Sequence, residues 1–241
     1  MAGRLGRVFS PQGPSLRDLC VEALSSVERG YDHLAGKFDH TPFRTPDGIL
    51  DATVQELSKA GPFRSGLDVC CGTGAGLTVL RRLCRERVTG VDFSAGMLAE
   101  ARAAVPEAEL VRADVRALPF TGGFDLAVTF GALGHFLPSE RPALFAGVHR
   151  ALRPGGLFAV ATGDLPAQNT GVYWATLGLD LAMVVRNSLV RPPFVMYYRT
   201  TPLPAVRRDL RTAGFTVDTV DLTAQDDTLR FSLLLARKPA G

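Results

Sequence analysis

Two kinds of apolar pattern alternate along this chain. Short unbroken apolar runs closed by glycine, proline or aspartate read as buried strands, and stretches with apolar residues every three or four positions read as helices. Gly66 to Cys70 predicts a strand, Gly72, Gly74 and Gly76 a turn, and Leu77, Val79 and Leu80 the start of a helix. Val88, Gly90 and Val91 form a second strand ending at Asp92, and Leu110 to Arg112 a third that runs into Ala113, Asp114 and Val115. The segment FDLAVTFGALGHF, Phe124 to Phe136, is apolar almost throughout and reads as a fourth strand, covered on both faces, entering a loop. Pro154 then stops a helix, Gly155 and Gly156 make a turn, and Leu157 to Ala161 is a fifth strand. A helix near Ala205 to Ala213, with Gly214 as its C-cap, precedes strands near Thr216 to Leu222 and Leu229 to Arg237. The short polar turn between those last strands suggests an antiparallel pair. The fold class is α/β, built on a doubly wound sheet.

Composition bounds this picture. A length of 241 residues with 46% hydrophobic content suffices for one α/β domain with a sizeable core. The formal charge of +3 is too slight to point to nucleic acid, and no basic cluster is interleaved with aromatics. Neither a signal-like leader nor a bilayer-length apolar span is present, so a cytoplasmic chain with no membrane association is expected. Cys70 and Cys71 are adjacent, Cys20 and Cys84 are isolated, and none has metal-ligand spacing; free thiols and no bound metal are expected.

The chemistry concentrates in LDVCCGTGAG, Leu67 to Gly76. Glycines at alternate positions permit positive φ and leave no Cβ between backbone and ligand, and the unpaired amides of a helix start favour an anionic group. A nucleotide-like cofactor is expected. The dinucleotide fingerprint GxGxxG needs a third glycine where Leu77 stands. With Asp68 before the loop, the string instead resembles the D-x-G-x-G-x-G loop of class I S-adenosylmethionine-dependent methyltransferases, with Asp68, Gly72 and Gly74 in register and Cys70 in place of the first glycine. GVDFSAGML after the second strand and LRPGGLFAVAT around the fifth continue the resemblance.

The resemblance implies a Rossmann-like sheet of seven strands, mostly parallel, with the last strand antiparallel beside the sixth. It implies S-adenosylmethionine as cofactor and S-adenosylhomocysteine as product. Asp92 would hold the ribose, Phe93 and Met97 would pack on the adenine, and Asp114 would accept from the adenine amino group; Val115, Cys70 and Phe130 complete the expected cofactor set. YDHLAGKFDHTPFRTPD, Tyr31 to Asp47, looks like the YDxxAxxYD helix that precedes the core in many small-molecule methyltransferases. That match implies Tyr31 near the cofactor and Arg44 reaching its carboxylate.

Residues 1–60 are accordingly read as a helical N-terminal cap, and residues 61–241 as the core with an inserted lid at about 163–204. The lid holds Tyr173, Trp174, Phe194, Met196, Tyr197 and Tyr198, which either line an acceptor pocket or pack the lid and form a dimer face; monomer and homodimer both remain open. His135, just after the fourth strand, is the candidate general base, whereas His149 is read as structural. His33 and His40 lie in the entry region, where contact with the acceptor stays open. Asp164 is read as a turn residue. The loop FGALGH lacks the (D/N)PPY signature of adenine and glutamine amine methylation, which leaves O-, N- or C-methylation of a small molecule. An RNA or protein methyltransferase, and a non-catalytic S-adenosylmethionine-binding partner, are the alternatives.

Overall fold

The computed structural model describes residues 12–15, 27–41, 44–163, 169–189, 201–223 and 230–241. Two helices lead in, α1 (Val27–Phe38) and α2 (Asp47–Ser58). Strands and helices then alternate through β1 (Phe63–Val69), α3 (Ala75–Leu83), β2 (Cys84–Asp92), α4 (Ala95–Ala104), β3 (Glu109–Arg112), β4 (Phe124–Phe130), α5 (Arg141–Ala151) and β5 (Leu152–Gly163). Helices α6 (Gly171–Leu189) and α7 (Leu203–Thr212) precede the closing strands β6 (Thr216–Thr223) and β7 (Arg230–Arg237). The seven strands form one sheet in the order β3-β2-β1-β4-β5-β7-β6. Strands β1 to β5 are parallel, and β7 lies antiparallel between β5 and β6.

Alternation along the strands divides the core between the two faces of the sheet. On β5, Phe158 and Val160 point into a cluster with Phe145 and Val148 of α5 and Val206 and Leu210 of α7. Leu157, Ala159 and Ala161 of the same strand point the other way, to Ile49 and Leu57 of α2 and Leu77 and Leu80 of α3. Both faces are thus covered, which is why these strands read as continuous apolar runs. Full burial of a side chain such as Phe145 or Phe158 contributes about 1.5–3 kcal/mol.

Two boundaries differ from the sequence-based expectation. Strand β2 starts at Cys84, directly after α3, because Arg85, Glu86 and Arg87 extend it as exposed polar residues that carry no apolar signal. Helix α5 ends at Ala151, and the Pro154–Gly156 segment belongs to the start of β5. There the register jumps from Phe124↔Leu152 to Leu126↔Leu157, and the extra residues bulge through Gly155 at φ +76°. The bulge is held from outside the parallel core, with the Lys238 amide donating to the Gly156 carbonyl at 2.9 Å. Gly214 follows α7 at φ +96°, as expected of a C-cap glycine. Leu229 and Asp164 lie outside the described residues. No helix among the described residues is long and apolar enough to cross a membrane.

One charged pair is built into the α5–α7 face. Arg141 Nε donates to Asp209 Oδ2 at 2.9 Å, with side chains only 7% and 10% exposed. Removing Arg141 leaves the buried Asp209 carboxylate with only Arg208, an exposed guanidinium 3.3 Å from its other oxygen, and removes the partner that shares its desolvated site. Arg141→Ala is therefore expected to lower unfolding free energy by about 3 kcal/mol or more in urea titration. Arg141→Met combined with Asp209→Leu should restore most of that loss, and a single-variant loss below about 1 kcal/mol would contradict the clamp.

Candidate active site

Beyond the carboxyl ends of β1, β2 and β4 lies a cavity of about 540 Å³, bounded on its outer side by α1. This is where an open α/β sheet places its ligands. Its floor is the turn between β1 and α3. Gly72 has φ +49° and nothing within 4 Å of a would-be Cβ, so its backbone is bare toward the cavity. Cys70 also sits at positive φ, 61°, a conformation that costs a side-chain-bearing residue about 1–2 kcal/mol, and its thiol is kept protonated by burial and by Asp92. Cys70, Cys71 and Cys84 are free thiols, and Cys20 lies outside the described residues.

Two carboxylates organise this floor. Asp92, at the end of β2 and 6% exposed, accepts from the Gly72 amide through Oδ2 and from the Ser94 amide through Oδ1, each at 3.0 Å. Burial raises its pKa, against the pull of those amides. Asp68, 1% exposed, accepts from the Leu77 amide in the first turn of α3 and so caps a helix whose own N-cap residue, Gly74, has no side chain. Its Oδ2 is buried without a hydrogen-bond partner, and its pKa is pushed up to about 8 by burial and by Asp92. Gly76 makes the room, since a Cβ there would stand 2.5 Å from both Asp68 oxygens.

Helix α1 is tied to the loop after each of the first four strands. Asp39, just beyond its C-terminus, accepts from Thr73 Oγ1 at 2.7 Å in the glycine turn. Asp32 Oδ1 accepts from Ser94 Oγ at 2.6 Å and from the Gly96 amide at 2.9 Å, at the start of α4. Glu28 accepts from Arg112 at the end of β3. Tyr31, 8% exposed, has its hydroxyl 2.8 Å from His135 Nε2, in the 3-10 turn that follows β4.

Nearly all the residues expected at the cofactor line this one cavity. Tyr31, Arg44, Asp68, Cys70, Gly72 and Asp92 do so, together with Phe93, Met97, Asp114, Val115 and Phe130, and the candidate base His135 lines it as well. Gly74 is not among the lining residues. It is the N-cap of α3 at φ +100°, a conformation that side-chain-bearing residues rarely adopt, and it lies beside Ala101 of α4. Asp114 is more occupied than expected: both oxygens accept from Arg116, which also donates to Glu140 at 2.7 Å, and this guanidinium holds the Asp114 carboxyl below its usual range. Arg44 is likewise engaged, donating to Asp47 at 2.7 Å with Asp39 at 3.8 Å. His149 stacks edge-on against Phe215, away from the cavity. Trp174 is 62% exposed on α6 and lines nothing here; Phe194, Met196, Tyr197 and Tyr198 lie outside the described residues.

The sequence reading missed Asp32, Asp39, Thr73, Arg116 and Glu140. A signal existed for the first two: aspartates spaced seven apart, each following an aromatic, lie on one helical face.

Residues 67–156 match the family described as a methyltransferase domain. An uncharacterized methyltransferase of Synechocystis sp. is 36% identical over 123 residues, which cover 51% of this chain and 57% of the relative. The trans-aconitate 2-methyltransferase of Deinococcus radiodurans is 38% identical over 109 residues, covering 44% of this chain and 41% of the relative. The chain thus spans about half the length of these relatives. Among solved structures, an O-methyltransferase family protein from Burkholderia thailandensis superposes with TM-score 0.68 at 19% identity, covering 93% of this chain and 67% of that one. The magnesium protoporphyrin IX methyltransferase of Synechocystis, solved with bound S-adenosylhomocysteine, gives 0.56 at 18% identity, covering 78% and 81%. The chain thus carries a methyltransferase-domain match over residues 67–156, on a fold that it shares with these solved structures.

The steric demand of Asp68 is testable. Gly76→Ala should destabilise the protein by about 1–3 kcal/mol in urea titration, as an overpacked site does. In an Asp68→Ala background the same change should cost far less, and equal costs would show that the clash lies elsewhere.

Proposed function

We propose that this protein transfers a methyl group from S-adenosylmethionine to an oxygen, nitrogen or carbon atom of a small-molecule metabolite. The observation that carries the reading is the carboxyl-rich lining of one cavity. Glu28, Asp68, Asp92, Asp114 and Glu140 line it, against Arg44 and Arg116 as its guanidinium groups. A ligand with a sulfonium and an ammonium matches that excess of acid. The orphaned Oδ2 of Asp68 is a buried acceptor awaiting a donor, and an ammonium supplies one.

Residue roles follow from position. Asp92 spends one lone pair per oxygen on backbone amides and keeps others for the two ribose hydroxyls. Phe93, Met97 and Val115 provide an apolar wall for the adenine, with Asp114 as acceptor for its amino group and Arg116 fixing that carboxylate. Cys70, Gly72 and Phe130 border the amino acid end, and Arg44 faces its carboxylate. S-adenosylmethionine supplies a methyl group already activated by its sulfonium. The protein's own task is then to align the acceptor, exclude water and take up a proton where the acceptor is protic. His135 holds that proton, with Tyr31 orienting the imidazole. With Arg44 assigned to the cofactor's carboxylate and Arg116 held by Asp114 and Glu140, neither cavity arginine serves the acceptor, which favours an uncharged, partly apolar acceptor over a polyanion.

A core of residues 61–241 under a helical cap (1–60), with a lid at about 163–204 and a cytoplasmic setting, belongs to the same proposal. The formal charge of +3 favours a small acceptor over RNA.

The experiment is incubation with methyl-labelled S-adenosylmethionine and a panel of phenols, enols and amines. Label in a small product supports the reading, and label only in RNA or protein contradicts it. Asp92→Ala should weaken S-adenosylhomocysteine binding by about 1–3 kcal/mol in calorimetry; unaltered affinity would move the ribose elsewhere. His135→Asn should lower turnover on a protic acceptor by about 10²- to 10⁴-fold while cofactor affinity stays unchanged. Unchanged turnover would remove the base role.

A further inference from the structure

Asp68 has a consequence beyond offering an acceptor to the cofactor. Its carboxyl group is buried at the end of β1, with one oxygen on the Leu77 amide and the other without a partner. Gly76 forms a cradle that any side chain would fill. A second buried carboxyl, Asp92, faces it from the end of β2. The Cys70 and Cys71 thiols at the end of its own strand are kept neutral by burial, and α3 contributes an uncharged amide. Across the cavity, Arg44 is held by Asp39 and Asp47, Arg116 by Asp114 and Glu140, and Tyr31 and His135 are bonded to each other. No cation among the described residues compensates a charge on Asp68.

We propose that Asp68 is a neutral carboxylic acid in the ligand-free protein and loses its proton to solvent when the cofactor's ammonium settles beside the orphaned oxygen, so that cofactor binding releases one proton. The inference rests on the S-adenosylmethionine reading above. In the step, the Asp68 O–H bond breaks, its electron pair stays on the carboxylate, the proton passes to buffer, and the carboxylate pairs with the ammonium. With Asp68 pushed up to about 8, the group is mostly protonated at pH 7, and pairing with a cation lowers that value. Release is therefore close to one proton at pH 6 to 7 and fades as pH rises past 8. Over the same window the dissociation constant tightens by up to about tenfold per pH unit and then levels off.

The test is calorimetric titration of the full chain with S-adenosylhomocysteine in phosphate and in Tris between pH 6 and 8, since the difference in buffer ionisation heat counts the protons. 5′-Methylthioadenosine, which lacks the ammonium, is the control ligand. Asp68→Asn keeps an acceptor for the Leu77 amide and has no proton to lose. The expected result is about one proton released at pH 6.5 with S-adenosylhomocysteine, and none with methylthioadenosine or in Asp68→Asn. S-adenosylhomocysteine binding without proton release in the wild-type protein overturns the proposal and leaves the cofactor reading standing. Equal release in Asp68→Asn overturns it by assigning the proton to another group. Binding of neither nucleoside to folded protein overturns the cofactor reading and this inference with it.

Discussion

The carboxylate of Asp92 holds two loops at once, one oxygen on the Gly72 amide and the other on the Ser94 amide. Those amides belong to the turns that follow neighbouring parallel strands, so a single side chain sets the spacing between the start of α3 and the start of α4. The rest of the site depends on that spacing. Asp68 fits beneath the glycine turn because Gly76 leaves its place bare, and Gly74 starts α3 beside Ala101 of α4 at a positive φ. The glycines of the turn therefore divide their work: Gly72 opens toward the cavity, Gly74 starts a helix and Gly76 leaves room for a carboxylate.

The outer side of the cavity depends on polar ties spread along one helix. Glu28, Tyr31, Asp32 and Asp39 reach the loops after β3, β4, β2 and β1 in turn. Each is a modest interaction, about 0.5–1.5 kcal/mol net for a neutral pair and more where a charge is involved. Together they make the position of α1 report on the arrangement of all four loops. The pairing of Tyr31 with His135 couples this cap to the 3-10 turn that follows β4.

The strands were legible in the sequence because parallel strands covered on both faces are apolar throughout, as Leu126 to Val128 and Leu157 to Ala161 are, whereas their arrangement in the sheet rested on the family resemblance. The start of β2 was not, because Cys84 and Arg87 pair with Phe63 and Ser65 of β1 while the exposed polar residues Arg85 to Arg87 carry no apolar signal. The carboxylates at Asp68, Asp92 and Asp114 were legible from their place at strand ends, and all line the cavity. What escaped was partnership between distant segments. Nothing local marks Arg116 as the cation that occupies both oxygens of Asp114, or Thr73 as the donor to Asp39. Gly74 was legible as a residue needing positive φ, yet it lies beside the helix α4, which sequence spacing alone does not locate.

The central claim is that this cavity is built for a nucleoside carrying a cationic amino acid end. The most direct measurement is titration of the folded protein with S-adenosylhomocysteine, with NADH as the comparison ligand. The account predicts saturable one-to-one binding of S-adenosylhomocysteine and none of NADH. Binding of NADH instead, or of neither ligand, would contradict it.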